Sequence, residues 1–478
     1  METVLKSPAP SLAATTIPAL FEKQRAHALT LRSSTDAQRK EKLRQLRSWI
    51  TRNRTAIQNA LHNDFRKSAT EADLSEIFPS QNEIKDALHN LSDWMKPKKA
   101  GTPLALFGSR ARVMYEPKGV ALIIAPWNYP FYLIVDPLVS AIAAGCCAIL
   151  KPSEMTPHTS ALITRMVAEL FDEQEIAVVE GDAQIAADLL KLPFDHIFFT
   201  GSPQIGKVVM RAAAEHLTSV TLELGGKSPT IVDETAHIAD AAEKIIAGKF
   251  LNSGQTCIAP DYLMVHESRS AQLVEALQQN IHRFYGSDVA QSHDYTRMVN
   301  ARHRSRVQHL ITDAVTKGAR VYTGGEVREE DNYIAPTILT NVTVEMQVMQ
   351  EEIFGPVLPV MTYKSTDEAI QFMNSRPKPL AFYVFSRDQQ QVEFLLKNTS
   401  AGGVTINDCL LHVANNNLPF GGVNNSGMGK AHGHYGFLAF SNEKAVLYQR
   451  IGWTSYKILY PPYTDRVKNL VNKLLRWL

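Results

Sequence analysis

Between Phe21 and His89, apolar residues recur every three to four positions in a background rich in Arg, Gln, Glu and Leu. That period keeps one face of an α-helix dry. The stretch therefore reads as a helical layer, preceded by residues 1–20 as a flexible lead-in. From Val113 the pattern changes. Short apolar runs, punctuated by Gly and Pro and each followed by an amphipathic stretch, succeed one another: VALIIAP, CCAILKP, IAVVEG, HIFFTG, VTLELGG and PTIVD. Strand alternating with helix predicts an α/β fold with a parallel sheet covered on both faces. A second series begins after Gly226 and runs to about residue 406, with apolar runs at 262–265, 357–363 and 382–385. Two α/β units are expected, 21–225 and 226–406, followed by a return segment at 407–445 and a tail at 446–478.

Composition narrows the class. The chain has 478 residues with 45% hydrophobic content, enough for a large core. Its 50 basic and 48 acidic side chains leave a net charge of +2, so no global field favours nucleic acid. The four cysteines, Cys146, Cys147, Cys257 and Cys409, form no CxxC pair and no Cys/His cluster at zinc spacing. The expectation is a reduced, metal-free cytoplasmic protein. Residues 11–21 are interrupted by Thr15, Thr16 and Pro18 and lack the apolar core of a signal peptide, and no run is long enough to span a bilayer.

Ligands on parallel sheets bind outside the carboxyl ends of strands, so the residues after each apolar run are the first candidates. Asn128, in APWNYP, offers an amide donor to a developing oxyanion, or is simply a turn former. Lys151 and Glu154, in KPSE, suit a ribose or phosphate contact, or form a solvated charge pair. The turn Gly201-Ser202-Pro203-Gln204-Ile205-Gly206-Lys207 opens a helix whose N-terminus favours an anion. It is not GxGxxG, and Val208 after Lys207 breaks the P-loop pattern, so a pyrophosphate-bearing dinucleotide is preferred to phosphoryl transfer. Glu223, in TLELGGK, sits at an apolar strand end where desolvation raises a carboxyl pKa, as a general base near neutrality requires; a turn-capping role is the alternative. Cys257 lies in KFLNSGQTCIAP, a polar, Gly-containing loop between a helix-like and a strand-like run. On such a loop, backbone N–H groups can hold a partial thiolate that attacks an electrophilic carbon, whereas a thiol buried in a core is inert. Cys146, Cys147 and Cys409 read as structural.

The ordered segments APWNYP, KPSE, FTGSPQIG, LELGGKSP, GQTCIAPDY, EEIFGPVLPV and PFGGVNNSGMG resemble the NAD(P)-dependent aldehyde dehydrogenase superfamily over roughly residues 25–445. LELGGKSP, CIAPDY and MQEEIFGPVLP are similar to its class 3 branch. EIFPSQNEIKDALHNLSDWMKPKK and TINDCLLHVANNNLPFGG are most similar to bacterial coniferyl aldehyde dehydrogenases. The resemblance implies a Rossmann-type NAD-binding domain at 21–225, a catalytic domain at 226–406 and a small β-rich oligomerisation element. It implies that Cys257 attacks the aldehyde to form a thiohemiacetal, that Asn128 and the Cys257 backbone N–H hold the oxyanion, and that Glu223 activates the water that hydrolyses the resulting thioester. Cofactor contacts are implied at Trp127, Lys151, Glu154, Gly201, Ser202, Gly206, Glu352 and Phe354, and in some class 3 enzymes the residue matching Glu352 is also a candidate base. Glu154 would oppose a 2′-phosphate, favouring NAD with NADP tolerated. The expected substrate is an aromatic aldehyde such as coniferyl aldehyde or a medium- to long-chain aliphatic one. Transfer of the thioester to coenzyme A, or a silent structural protein of the same fold, is disfavoured because Cys257, Asn128 and Glu223 are all present.

These strand-end residues, distant in sequence, are expected to meet at one edge of a sheet. Tyr129, Phe131, Tyr132, Tyr262 and the stretch 410–417 are candidates for an apolar funnel. Asn424 stands where relatives more often have Gly, a change that Asn can tolerate in the left-handed conformation. The resemblance also implies a homodimer, with 110–117 and 403–407 as candidate contributors. In the last segment, 465–478, Val467, Leu470, Val471, Leu474, Leu475 and Leu478 recur at helical spacing opposite Arg466, Lys468, Lys473 and Arg476. This basic amphipathic helix is expected to pack on the protein or a partner subunit or to lie on a membrane surface; the resemblance to class 3 enzymes of fatty aldehydes implies a third place for it, near the substrate entrance.

Overall fold

In the computed structural model, which describes residues 16–477, PTIVD opens a second sheet as Pro229–Val232, and the other apolar runs of the first series form strands of one six-stranded sheet. Its order is Gly427–Met428, Ser219–Leu224, His196–Gly201, Val120–Ile124, Cys147–Lys151, Ile176–Val178, parallel except for Gly427–Met428. Val120–Ile124, the first of these strands in the chain, has its successor on one side and the later His196–Gly201 on the other. That reversal opens a crevice at the carboxyl ends, where doubly wound sheets bind ligands. A second, seven-stranded sheet runs Arg320–Thr323, Thr337–Thr340, Val357–Tyr363, Tyr262–His266, Pro229–Val232, Ala381–Phe385, Gly403–Ile406, with only the first strand antiparallel. A three-stranded sheet places Arg110–Pro117 between Lys98–Ala100 and Ser441–Tyr448. Its edges are therefore the outer two strands, while Gly403–Ile406 is an edge of the second sheet.

The chain crosses from the first large sheet to the second between Leu224 and Pro229. With so short a link, the carboxyl edge of the first sheet abuts the amino edge of the second. This corrects the expectation of a single sheet edge. Asn128 and Glu223 belong to the first edge, whereas Cys257 and Glu352 precede their strands and belong to the second.

The N-terminal helices behave as their spacing predicts. In Asp36–Arg52, Leu43, Leu46, Trp49 and Ile50 are buried. Its start is fixed by a reciprocal cap, in which Thr35 Oγ1 accepts from Gln38 N–H while Thr35 N–H donates to Gln38 Oε1. The helix Ile17–Leu31 begins inside the expected lead-in, because Ile17, Leu20 and Phe21 pack against Val120, Leu122 and Cys147 of the first sheet; residues 1–15 lie outside the described region. The helix Tyr132–Ala144 is buried along nearly its whole length, which is why its sequence is apolar all round. Asp465–Trp477 is a helix, with Val471, Leu474 and Leu475 exposed. Among the described residues no helix is long and apolar enough to cross a membrane.

Candidate active site

The loop that carries Cys257 is built by backbone strain that side chains hold in place. After the helix Ile238–Phe250, Asn252, Ser253 and Gly254 adopt left-handed φ of 52°, 55° and 72°. Gly254 has no alternative, since a Cβ there would lie 2.3 Å from the Gly355 carbonyl oxygen. Asn252 stabilises its own turn, donating from Nδ2 to the carbonyls of Asn128 (2.8 Å) and Gln255 (3.2 Å). Its N–H donates to buried Glu71 Oε1 (2.8 Å). The Gln255 side chain donates to Asn252 O and Arg297 O and accepts from Val299 N–H, all at 3.0 Å. Asn128 Nδ2 in turn donates to Gln255 O (3.0 Å), leaving one amide hydrogen of Asn128 for the cavity. Asn128 and Cys257 are thus held by one shared network across the two sheets.

Two cavities meet at this point. One, of about 550 Å³, is lined by Trp127, Asn128, Gly201, Ser202, Lys207, Lys227, His303, Glu352 and Phe354 among others. The other, of about 340 Å³, is mainly apolar, with Leu74, Phe78, Tyr129, Tyr132, Ile258, Leu410 and Val413 in its wall. Leu133, Thr200, Glu223, Leu224 and Cys257 line both. The thiol therefore stands at the neck between a polar cleft and an apolar tunnel.

Charge at the neck is governed by burial. The Cys257 thiol is pushed up to about 12, first by burial and then by the Glu352 and Glu223 carboxylates, while the N–H groups of Cys257 and Ile258 pull it down. The resting group is a thiol, which corrects the expectation of a partial thiolate: two N–H groups do not outweigh burial beside two acids. Glu352 is pushed up to about 8 by burial and by Asp261, against the Gly226 N–H and the charges of Lys227 and Arg306. Glu223 is raised well above the usual carboxylate range by burial, with Asp136 adding to it and Lys430 opposing. Neither Glu223 oxygen has a hydrogen-bond partner.

The family model for the aldehyde dehydrogenase family matches residues 6–446. The chain belongs to that family. A Staphylococcus aureus 4,4'-diaponeurosporen-aldehyde dehydrogenase is 47% identical over 430 residues, covering 90% of this chain and 93% of that protein. A Pseudomonas aeruginosa protein named probable coniferyl aldehyde dehydrogenase is 43% identical over 460 residues, 95% of each chain. On the class 3 side, the Bos taurus aldehyde dehydrogenase family 3 member B1 is 46% identical over 429 residues, covering 90% of this chain and 91% of that one. A solved structure titled as the substrate-bound state of Staphylococcus aureus AldH superposes with a TM-score of 0.92 at 45% identity, covering 96% of this chain and 99% of that one. The protein is an oxidoreductase acting on aldehydes, and the fold expected from its sequence is the fold found.

Of the cofactor residues read from the sequence, Trp127, Gly201, Ser202, Glu352 and Phe354 line the polar cavity, whereas Lys151, Glu154 and Gly206 do not. Lys151 is buried at the end of the strand beside Ile124 and pairs with exposed Glu154 at 2.7 Å. Gly206 serves packing, since a Cβ there would lie 2.7 Å from Leu224 Cδ2. Of the funnel candidates, Tyr129, Tyr132, Leu410, Val413, Ala414 and Asn416 line the apolar cavity, but Phe131 and Tyr262 do not. Asn424 adopts φ 55°, the left-handed value expected of it. Cys146, Cys147 and Cys409 are buried.

Several functional groups carried no readable signal. Lys227 holds the loop around Glu352, pairing with Asp261 and donating to the carbonyls of Val348 (2.8 Å) and Glu351 (2.9 Å). His303 packs against Trp127, ring centroids 4.7 Å apart and the planes tilted by 49°. Two buried carboxylates of the helical layer fasten both site loops: Glu71 binds Asn252, and Glu76 accepts the N–H groups of Phe131 (3.1 Å) and Tyr132 (2.9 Å) at Oε2 while its Oε1 pairs with Lys67 at 2.8 Å. In sequence these are ordinary acids on an amphipathic helix. Only Lys207, already within the glycine-containing turn, could have been added from the sequence.

Proposed function

We propose that Cys257, Asn128 and Glu223 carry out the oxidation of an apolar aldehyde, aromatic such as coniferyl aldehyde or medium- to long-chain aliphatic, to its carboxylic acid with NAD(P). The observation that carries this reading is the position of Cys257 at the neck joining a polar and an apolar cavity. A reaction between a polar cofactor and an apolar aldehyde needs its nucleophile at that junction.

The polar cavity suits a dinucleotide. The turn Gly201-Ser202 leads into the helix Pro203–Ala214, whose start, with Lys207, faces the cleft and favours an anionic group. Trp127 and Phe354 form an aromatic corner, rings 5.3 Å apart at 81°. A Cβ at Gly225 would fill space beside the Glu352 carboxyl, 2.2 Å from Oε2. When bound, NAD(P) supplies the hydride acceptor. Lys151 and Glu154 are assigned to the far ribose by resemblance, and Glu154 favours NAD over NADP. A higher kcat/KM with NADP would remove that assignment.

Within the protein, the thiol proton passes to water in the polar cleft as sulfur adds to the carbonyl carbon, so Glu223, which faces the neck, stays available for the later step. The free Asn128 amide hydrogen and the Cys257 N–H then hold the oxyanion of the thiohemiacetal. After hydride loss, Glu223 takes a proton from the water that hydrolyses the thioester. Assaying coniferyl aldehyde, cinnamaldehyde and a C6 to C16 aliphatic series with NAD and NADP tests the reading; no acid formed from any of them would sink it.

The exposed apolar side chains of Asp465–Trp477, beside Arg466, Lys468, Lys473 and Arg476, support a second element: peripheral contact with an anionic membrane that presents lipid-soluble aldehydes. A truncation lacking residues 465–478 should lose sedimentation with anionic liposomes; unchanged sedimentation removes this element. A homodimer is the proposed assembly, with the sheet edge Ser441–Tyr448 as the first place to test by light scattering.

A further inference from the structure

The apolar tunnel contains an acid that its surroundings do not explain. Asp136, on the helix Tyr132–Ala144, is 3% exposed and lines the tunnel together with Glu223, Tyr132 and His432. Leu133, three residues earlier on that helix, lines the neck with Cys257. Asp136 is thus ~4.5 Å further along the helix axis. Its Oδ1 has no hydrogen-bond partner, and its Oδ2 reaches only His432 Nε2, at 3.7 Å. Nearby Glu83 differs: its Oε1 accepts Gly433 N–H (2.6 Å) and its Oε2 accepts Asn416 Nδ2 (2.7 Å). Glu83 is a satisfied structural acid, whereas Asp136 and Glu223 together present three orphaned acceptor atoms to one small cavity.

Buried acceptors call for donors. The ligand that fits is donor-rich and small enough for the tunnel floor: water. We propose that Asp136 and Glu223 act as a pair of carboxyl groups that holds the hydrolytic water against the thioester, with Asp136 as a positioning residue. This rests on the reading of Cys257 and Glu223 above and extends it. In the step concerned, the water oxygen bonds to the acyl carbon and its proton passes to the carboxylate of the pair. The C–S bond then breaks, and the departing sulfur recovers a proton from the pair's acid, giving carboxylic acid and thiol. The titratable and charged groups facing the pair are Glu83 from the helix Phe78–Trp94, Tyr132 on the same helix as Asp136, His432, Cys257, and Lys430 on the Glu223 side. The charge of Asp136 raises the Glu223 pKa, so its removal must lower it.

The test uses the full chain in excess over cinnamaldehyde with NAD, quenched at millisecond intervals, with intact mass reading the cinnamoyl adduct on Cys257. Formation and decay are then separate rates, whichever limits turnover. Asp136→Leu is expected to slow adduct decay at least ~10-fold with formation little changed. Asp136→Asn is expected to move the acid limb of the decay profile to lower pH by about half a unit or more. Glu223→Gln provides the reference in which the adduct persists. Unchanged decay in Asp136→Leu, or formation and decay slowed in equal proportion as general damage would do, overturns the proposal. An unmoved limb in Asp136→Asn overturns the electrostatic link between the two acids. Absence of any adduct in Glu223→Gln removes the reading of the site itself, and the pair with it.

Discussion

Replacing Glu352 with Gln should make Cys257 more reactive, and only at high pH. The thiol is pushed up to about 12 in part by the Glu352 charge. Glu352 is itself pushed up to about 8, so it is mostly neutral at pH 7 and ionised by pH 9.5. At pH 8 a thiol of that pKa is ionised in about one molecule in ten thousand. Two unit charges ~6 Å apart at an effective dielectric of ~20 repel by roughly 3 kcal/mol, and each ~1.4 kcal/mol is one pKa unit. With part of that screened, losing the Glu352 charge should raise the thiolate population at least ~10-fold at pH 9.5 and hardly at all at pH 7, where the carboxyl is already neutral. The amide of Gln can still accept the Gly226 N–H that Glu352 uses. The assay is the rate of iodoacetamide alkylation without cofactor, with Cys257→Ser as the blank, since Cys146, Cys147 and Cys409 are buried. A parent rate that rises less than tenfold per pH unit between 7 and 9.5, with a variant that overtakes it, is the expected signature. A variant equal to the parent or slower at pH 9.5 would mean that Glu352 draws the proton from the thiol, and would refute this electrostatic reasoning.

Other consequences are as direct. Gly225→Ala should drive the Glu352 carboxyl from its place, since the new Cβ would lie 2.2 Å from Oε2; NAD affinity measured by fluorescence titration should fall with little loss of stability, and unchanged affinity would contradict the placement. Asn252→Ala removes two buried hydrogen bonds and puts a β-carbon residue without a stabilising side chain at φ 52°; a loss of roughly 2–4 kcal/mol by urea unfolding and a fall in kcat are expected. Glu76→Leu strands fully buried Lys67 and frees the Phe131 and Tyr132 N–H groups; the cost should reach roughly 3–5 kcal/mol, and a cost under ~1 kcal/mol would show that Lys67 finds another partner. Because Glu223 is raised well above its usual range, water activation should strengthen with rising pH; a thioester decay rate flat from pH 6 to 9 would deny Glu223 the role of base.

The large-scale fold was legible because strands and helices announce themselves by period. The runs at 120–124, 147–151 and 196–201 are strands for the reason given from the sequence: apolar residues closed by Gly or Pro and alternating with amphipathic helix. The strained turn at Cys257 was legible only as a polar, Gly-containing loop; that Asn252 and Ser253 share the left-handed conformation depends, besides neighbouring Gln255, on Asn128 and Glu71, distant in sequence. Side-chain charge state was legible for Glu223, whose apolar strand predicted a raised pKa. It was misread for Cys257, because a loop is not necessarily wet and this one is enclosed by both sheets. Glu76 and Asp136 left no local mark, since their meaning comes from what lies across the interior from each.

The most direct measurement is the intact mass of Glu223→Gln after mixing with cinnamaldehyde and NAD, followed by peptide mapping. An acyl adduct confined to Cys257, absent in the double variant Glu223→Gln with Cys257→Ser, is the predicted result. Undiminished acid production by Cys257→Ser alone, or an adduct on any other residue, would contradict the assignment of the nucleophile.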